Sequence, residues 1–175
     1  MSEHEFTLVF DIAELRLNRD EYVESLGEHG CDDAIAGVGK PGRVALAFTR
    51  HAGSATVAVL SAIRDVKQAL PGARLLEAAP DYVGITEAAD IVGRSRQNLR
   101  KLLLSSRASA PAPMHEGTSA LWHLAVLLRW LRDEKHYRVA DDLLELASAT
   151  MQVNVAIDQR NADPPVRDQI EALLT

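Results

Sequence analysis

The chain has 175 residues, 47% of them hydrophobic and 25% charged, with a formal net charge of −6. That length fits one large domain or two small ones with a packed core. The only cysteine, Cys31, excludes an internal disulfide and leaves a cysteine-rich zinc site without ligands. With neither a basic apolar leader nor a long apolar run, the expectation is a soluble cytoplasmic protein that makes no use of a membrane.

In chain order, Phe6, Leu8, Phe10 and Ile12 alternate at period two and predict a half-buried strand. Asn18 followed by Glu21 has the form of a capping box, opening a helix with Tyr22 and Leu26 on one side. Residues 34–38 form a short apolar run and residues 39–42 a turn. Val44, Leu46 and Phe48 alternate again, which together predicts a hairpin. Ser54 caps a second helix bearing Val59, Ile63, Val66 and Leu70, and Pro71-Gly72 stops it before a strand over residues 73–78. Strand, helix, strand, strand, helix, strand is the ferredoxin-like βαββαβ order, an antiparallel sheet with both helices on one face. The expected fold class is therefore α+β, with a first domain over residues 1–80 for sensing or interaction.

Beyond Pro80-Asp81, two short helices are joined at Gly93, capped by Thr86 and Ser95 respectively. Residues 105–118 are irregular, and residues 119–123 make a plausible strand. Leu124, Leu127, Leu128 and Leu131 then form a helical apolar stripe, with Trp122 and Trp130 expected in the core. Val139, Leu143, Leu146, Thr150, Val153 and Ile157 repeat at alternating spacings of 4 and 3. This predicts a long helix in a tail over residues 137–175, with Val139, Leu143, Leu146 and Val153 pairing two copies. The same repeat also suits a helix folded back on its own domain. Pro164-Pro165 resets the chain before a last short helix containing Ile170, Leu173 and Leu174.

Charge is unevenly placed. Residues 1–80 carry a net −4, residues 81–140 a net +3 and residues 141–175 a net −5. Arg94, Arg96, Arg100, Lys101 and Arg107 follow one another with no acid between positions 93 and 115. An acidic protein can bind DNA through a face this concentrated, because screening confines distant carboxylates to about a 10 Å reach.

The segment from Ile85 to Arg100 reads apolar-Thr-x-x-Ala-Ala-x-x-apolar-Gly-x-Ser-Arg-x-x-apolar-Arg. It resembles the winged helix-turn-helix of the MerR and excisionase class over residues 84–123. The resemblance implies a DNA-binding domain over residues 81–136, with a wing over residues 107–121. It implies that Arg96, Gln97, Asn98 and Arg100 read base edges, where Arg suits guanine and Asn or Gln suits adenine. Ser95, Lys101, Arg94 and Arg107 would hold phosphates, with His115 and Thr118 as wing contacts. Arg94 departs from the pattern, which usually has an apolar buried residue after the turn glycine. The class places effector domains after the DNA-binding module, whereas here a domain precedes it, so metal or drug sensing does not carry over.

Other chemistries find little footing. The glycines and Lys40 of residues 37–42 lack phosphate-loop spacing and suit a turn. His4, His29, Cys31 and His51 lack metal-ligand spacing, and Asp32-Asp33 and Asp141-Asp142 are adjacent and do not converge. The expectation is a dimeric, sequence-specific transcriptional regulator on double-stranded DNA, with no catalytic residue, metal or cofactor. The alternative is an antitoxin-like or phage-related module that holds a protein partner and binds DNA for autoregulation. Asp20, Glu21, Glu24 and Glu28 would then face a basic partner.

Overall fold

The computed structural model describes residues 1–37, 40–160 and 162–174. The architecture is mixed α+β, with seven α-helices and two antiparallel sheets among the described residues. Strands β1 (Ser2–Asp11), β2 (Ala34–Gly37), β3 (Arg43–Ala52) and β4 (Arg74–Ala79) form a four-stranded sheet in the order β2-β3-β1-β4. The period-two pattern sets the register: Phe6 lies opposite Phe48, Leu8 opposite Leu46 and Phe10 opposite Val44, all on one buried face.

Helices α1 (Arg19–Glu28) and α2 (Ala55–Ala69) pack on that face and share its core. The Asn18 side chain accepts from Glu21 N at 3.1 Å while the Glu21 carboxylate accepts from Asn18 N at 2.8 Å, a reciprocal cap on α1. Ser54 accepts from Val57 N at 3.2 Å and opens α2. The opposite sheet face, with Glu5, Ala47 and Thr49, is exposed and carries no Phe, Tyr or Trp. Positions 38 and 39, the end of the expected second strand and the start of the turn, lie outside the described residues.

A second core gathers around β5 (Tyr82–Val83), β6 (His115–Glu116) and β7 (Ala120–His123), ordered β5-β7-β6, with α3 (Ile85–Ile91), α4 (Arg96–Ser105) and α5 (Leu124–Asp133). Trp122 and Trp130 are buried in it. Their indole N–H groups donate to Pro111 O at 3.0 Å and Ser109 Oγ at 3.3 Å.

Helix α6 (Asp141–Gln159) joins the two cores. Leu146 and Ala149 enter the first core, while Leu144, Ala147 and Met151 enter the second. The expected dimerisation seam is thereby divided inside one protomer. Leu146 and Val153 pack against the first core, Val139 and Leu143 against the second, and Val139 precedes the helix altogether. A 4-3 repeat defines an apolar stripe but not what covers it; here two different cores cover it.

A buried polar cluster fixes this joint. Asn154 accepts from Ala78 N at 2.8 Å and donates to Ala78 O at 2.7 Å, satisfying the outer edge of β4. Asn154 Nδ2 also donates to Asp81 Oδ2 at 2.8 Å, and His123 Nδ1 donates to Asp81 Oδ1 at 2.8 Å. Thr150 Oγ1 donates to Pro80 O at 2.6 Å. Helix α7 (Pro164–Leu174) follows, and none of its residues is buried. Among the described residues no helix is long and apolar enough to cross a membrane.

Candidate nucleic-acid interface

The α3–α4 pair is built around its turn. Helix α3 ends at Ile91 with Val92 as its C-cap, and Gly93 follows at φ +64°. Arg94 N donates to Ala89 O at 2.8 Å and Gly93 N to Asp90 O at 3.1 Å. This is a Schellman closure, which needs a left-handed residue where glycine stands. Ser95 then accepts from Asn98 N at 3.2 Å and caps α4. Thr86, expected as the cap of α3, instead lies inside it; Gly84 occupies the cap position and makes no side-chain cap bond. The extended backbone of Gly84 after β5 already opens the helix, so no hydroxyl is required there.

Ala88 and Ala89 are fully buried, and their small size lets α3 lie close to α4 where Leu99 is 1% exposed. Burying Leu99 fixes the rotation of α4. With each residue about 100° around the helix, Gln97 sits near the outward crest. Arg96 and Arg100 flank it on one side, Asn98 and Lys101 on the other, and all five are exposed. Arg96 and Arg100 border a cleft of about 690 Å³ whose opposite wall is the β6–β7 hairpin with Thr118 and Ser119. Arg94, Asn98 and Lys101 border a shallower hollow of about 290 Å³ with Tyr137.

Among the described residues, none of Arg94, Arg96, Arg100, Lys101 or Arg107 takes part in an ion pair. Arg94 lies over the Tyr137 ring with its guanidinium carbon 5.2 Å from the centroid. The aromatic face supports an exposed cation at a position where the sequence pattern led one to expect a buried apolar residue. Arg107, in the turn after α4, is exposed, as are His115 on β6 and Thr118 at the hairpin tip.

The structure therefore divides the run between two sides of α4: Arg96 and Arg100 border the cleft with Thr118 across it, while Arg94, Asn98 and Lys101 border the hollow with Tyr137. Two contributors, Tyr137 and Glu87, were not legible in the sequence. Tyr137 is remote in sequence from Arg94, and no spacing links them. Glu87 and Glu116 also line the cleft, so its floor is less positive than the acid-free run suggests. Glu116 is the residue that ends that run, which was the available signal.

The other candidate groups lie elsewhere. His4 is buried beside Ser2, with Nε2 and Oγ 3.3 Å apart, while the exposed His29 donates from Nδ1 to Ser25 O at 2.8 Å. Exposed His51 lies 3.6 Å from Glu3. Among the described residues no three His, Cys, Asp or Glu side chains are grouped to hold a metal ion. Cys31 is buried, and desolvation, with a further push from Asp65, raises its thiol pKa to about 11.

Compared with known proteins, the chain matches no family model, no curated protein and no solved structure.

Proposed function

We propose that this chain is a sequence-specific DNA-binding transcriptional regulator. In this reading residues 81–136 are a winged helix-turn-helix of the MerR and excisionase kind, and residues 1–80 are a ferredoxin-like domain for sensing or interaction. The protein binds double-stranded DNA in the cytoplasm and is not an enzyme. One observation carries the reading: α4 presents Arg96, Gln97, Asn98, Arg100 and Lys101 outward, and none of its cations is ion-paired among the described residues. Cations left without carboxylate partners on a short, capped helix suit a groove lined with phosphates and base edges. Arg96, Gln97, Asn98 and Arg100 read bases. Ser95, Arg94, Lys101 and Arg107 take phosphates, and His115 and Thr118 add wing contacts.

The test is selection of bound fragments from the source genome, followed by gel-shift titration. Arg96→Ala and Arg100→Ala each lower specific affinity by about 1–3 kcal/mol and relax the preferred sequence. Lys101→Ala weakens all sequences alike and reduces the salt dependence by about one phosphate contact. Failure to enrich any fragment, or full affinity in both arginine variants, removes the assignment.

A second reading, an antitoxin-like module holding a basic protein, is favoured by α1. There Asp20, Glu21, Glu24 and Glu28 are all exposed, and none is ion-paired among the described residues. Affinity purification that recovers a small basic protein, and loses it in Glu24→Lys, selects this reading.

A further inference from the structure

The connection between α5 and α6, residues 134–140, brings Tyr137 against the start of α4. His136 reverses the chain there at φ +54°, a left-handed conformation that histidine adopts more readily than most residues. Tyr137 N donates to Leu131 O at 3.0 Å, and the half-buried side chain packs against the second core. The ring is thus anchored by the body of the protein while its face meets the Arg94 guanidinium.

The hollow that Tyr137 closes, about 290 Å³, is lined by Arg94, Asn98, Lys101, Leu102, Ser105 and Tyr137. Two of these are cations and none is a carboxylate, whereas Arg96 and Arg100 share their cleft with Glu87 and Glu116. Neither Arg94 nor Lys101 makes an ion pair or a side-chain hydrogen bond among the described residues. Ser105 donates its hydroxyl to Leu102 O at 3.1 Å and so offers the hollow no donor. The sign of the lining selects an anion. Pockets that enclose an organic ligand run from about 300 to 1,000 Å³, so this shallow hollow suits one charged group rather than a whole small molecule. The Arg94 fork comes from the turn and the Lys101 point charge from α4. A planar carboxylate is spent on the fork alone, while a tetrahedral phosphoryl group presents oxygens to both.

We infer that this hollow holds a single phosphoryl group shared by Arg94 and Lys101, with Tyr137 as the residue that positions Arg94. The site extends past the helix-turn-helix at residue 136, and it stands on its own lining. Its use on DNA rests on the regulator reading, in which the group is a backbone phosphodiester rather than a free phosphate ester.

Nuclear magnetic resonance on the full chain tests it, with inorganic phosphate, acetate and chloride added at matched ionic strength. Phosphate shifts the Arg94 Nε–H signal and saturates; acetate and chloride leave it in place. Tyr137→Leu weakens phosphate about two- to fivefold, and Tyr137→Phe, which keeps the ring, restores it. Lys101→Ala, at an exposed position, weakens phosphate with unchanged far-UV circular dichroism. Equal shifts with acetate or chloride overturn the site, as does a phosphate response unchanged in Lys101→Ala and Tyr137→Leu. Gel shifts on a selected fragment then identify the source. Because the salt dependence counts phosphates, Arg94→Ala combined with Lys101→Ala lowers it by about one contact, not two. A loss of two gives the cations separate phosphates and overturns the shared site. No loss assigns the group to a free phosphate ester and leaves the hollow standing. Failure to enrich any fragment removes the DNA reading alone, since the phosphate titration involves no DNA.

Discussion

Arg50 and the arginines of α4 are the same residue type in opposite circumstances. Arg50 is 7% exposed at the end of β3, where it donates to Asp33 at 2.6 and 3.0 Å, Asp65 at 2.6 Å, Gly30 O at 2.8 Å and Ser61 at 3.0 Å. The two carboxylates hold its guanidinium well above even the usual arginine range, against the opposing effect of burial. Arg96 and Arg100 are exposed, and neither is ion-paired among the described residues. The difference teaches where each cation acts. A guanidinium satisfied by its own chain holds the β3, α2 and β2-side loops together, while one left unsatisfied is available to an external anion.

Four substitutions and a titration break or sharpen that contrast. The largest effect is expected from Arg50→Ala, which strands Asp33 and Asp65 without their cation and costs about 3–5 kcal/mol in urea unfolding. Asp81→Ala comes next. It leaves His123 and Asn154 without a shared acceptor at the joint of the two cores, for about 3 kcal/mol.

Raising the pH acts on two further groups, Cys31, which is buried, and Tyr82, which is half-buried. The folded state keeps Cys31 protonated to about pH 11 and Tyr82 to about pH 12, the latter through burial and the neighbouring Asp158. The unfolded chain releases the Cys31 proton near its ordinary value, so it loses protons that the folded state retains. Stability is therefore full below about pH 9 and falls as the pH climbs toward 11, by on the order of 2 kcal/mol from Cys31. Thermal melts across that range read it, and a flat profile would show that Cys31 is reachable by solvent.

Gly93→Ala has open space for its methyl group but a φ of +64°, so backbone strain alone sets its cost at about 1 kcal/mol. The smallest effect on folding is expected from Arg96→Ala, whose melting curve stays within about 0.5 kcal/mol of the wild type. A large loss there would show that the side chain supports the fold, and the contrast with Arg50 would collapse.

Much of the local structure was legible because its causes are local. Asn18 with Glu21, Ser54 and Ser95 cap their helices through bonds three residues long, and Gly93 marks its own turn. Alternation at Phe6, Leu8 and Phe10, answered by Val44, Leu46 and Phe48, fixes which side of the sheet is buried. The basic run on α4 was also legible, since Leu99 and its neighbours dictate which side of that helix turns outward.

What tertiary structure alone decided involves partners far apart in the chain. Periodicity identified the apolar stripe of α6 but could not say that Leu146 would meet one core and Leu143 the other. Nothing in the sequence joins Asn154 to Ala78 and Asp81, Arg50 to Asp65, or Arg94 to Tyr137. Caps and strand alternation are set by bonds and solvent within a few residues, so the string of amino acids carries them. Which surface covers a stripe, and which charge finds a counter-ion, depends on distances that exist only once the chain has closed on itself.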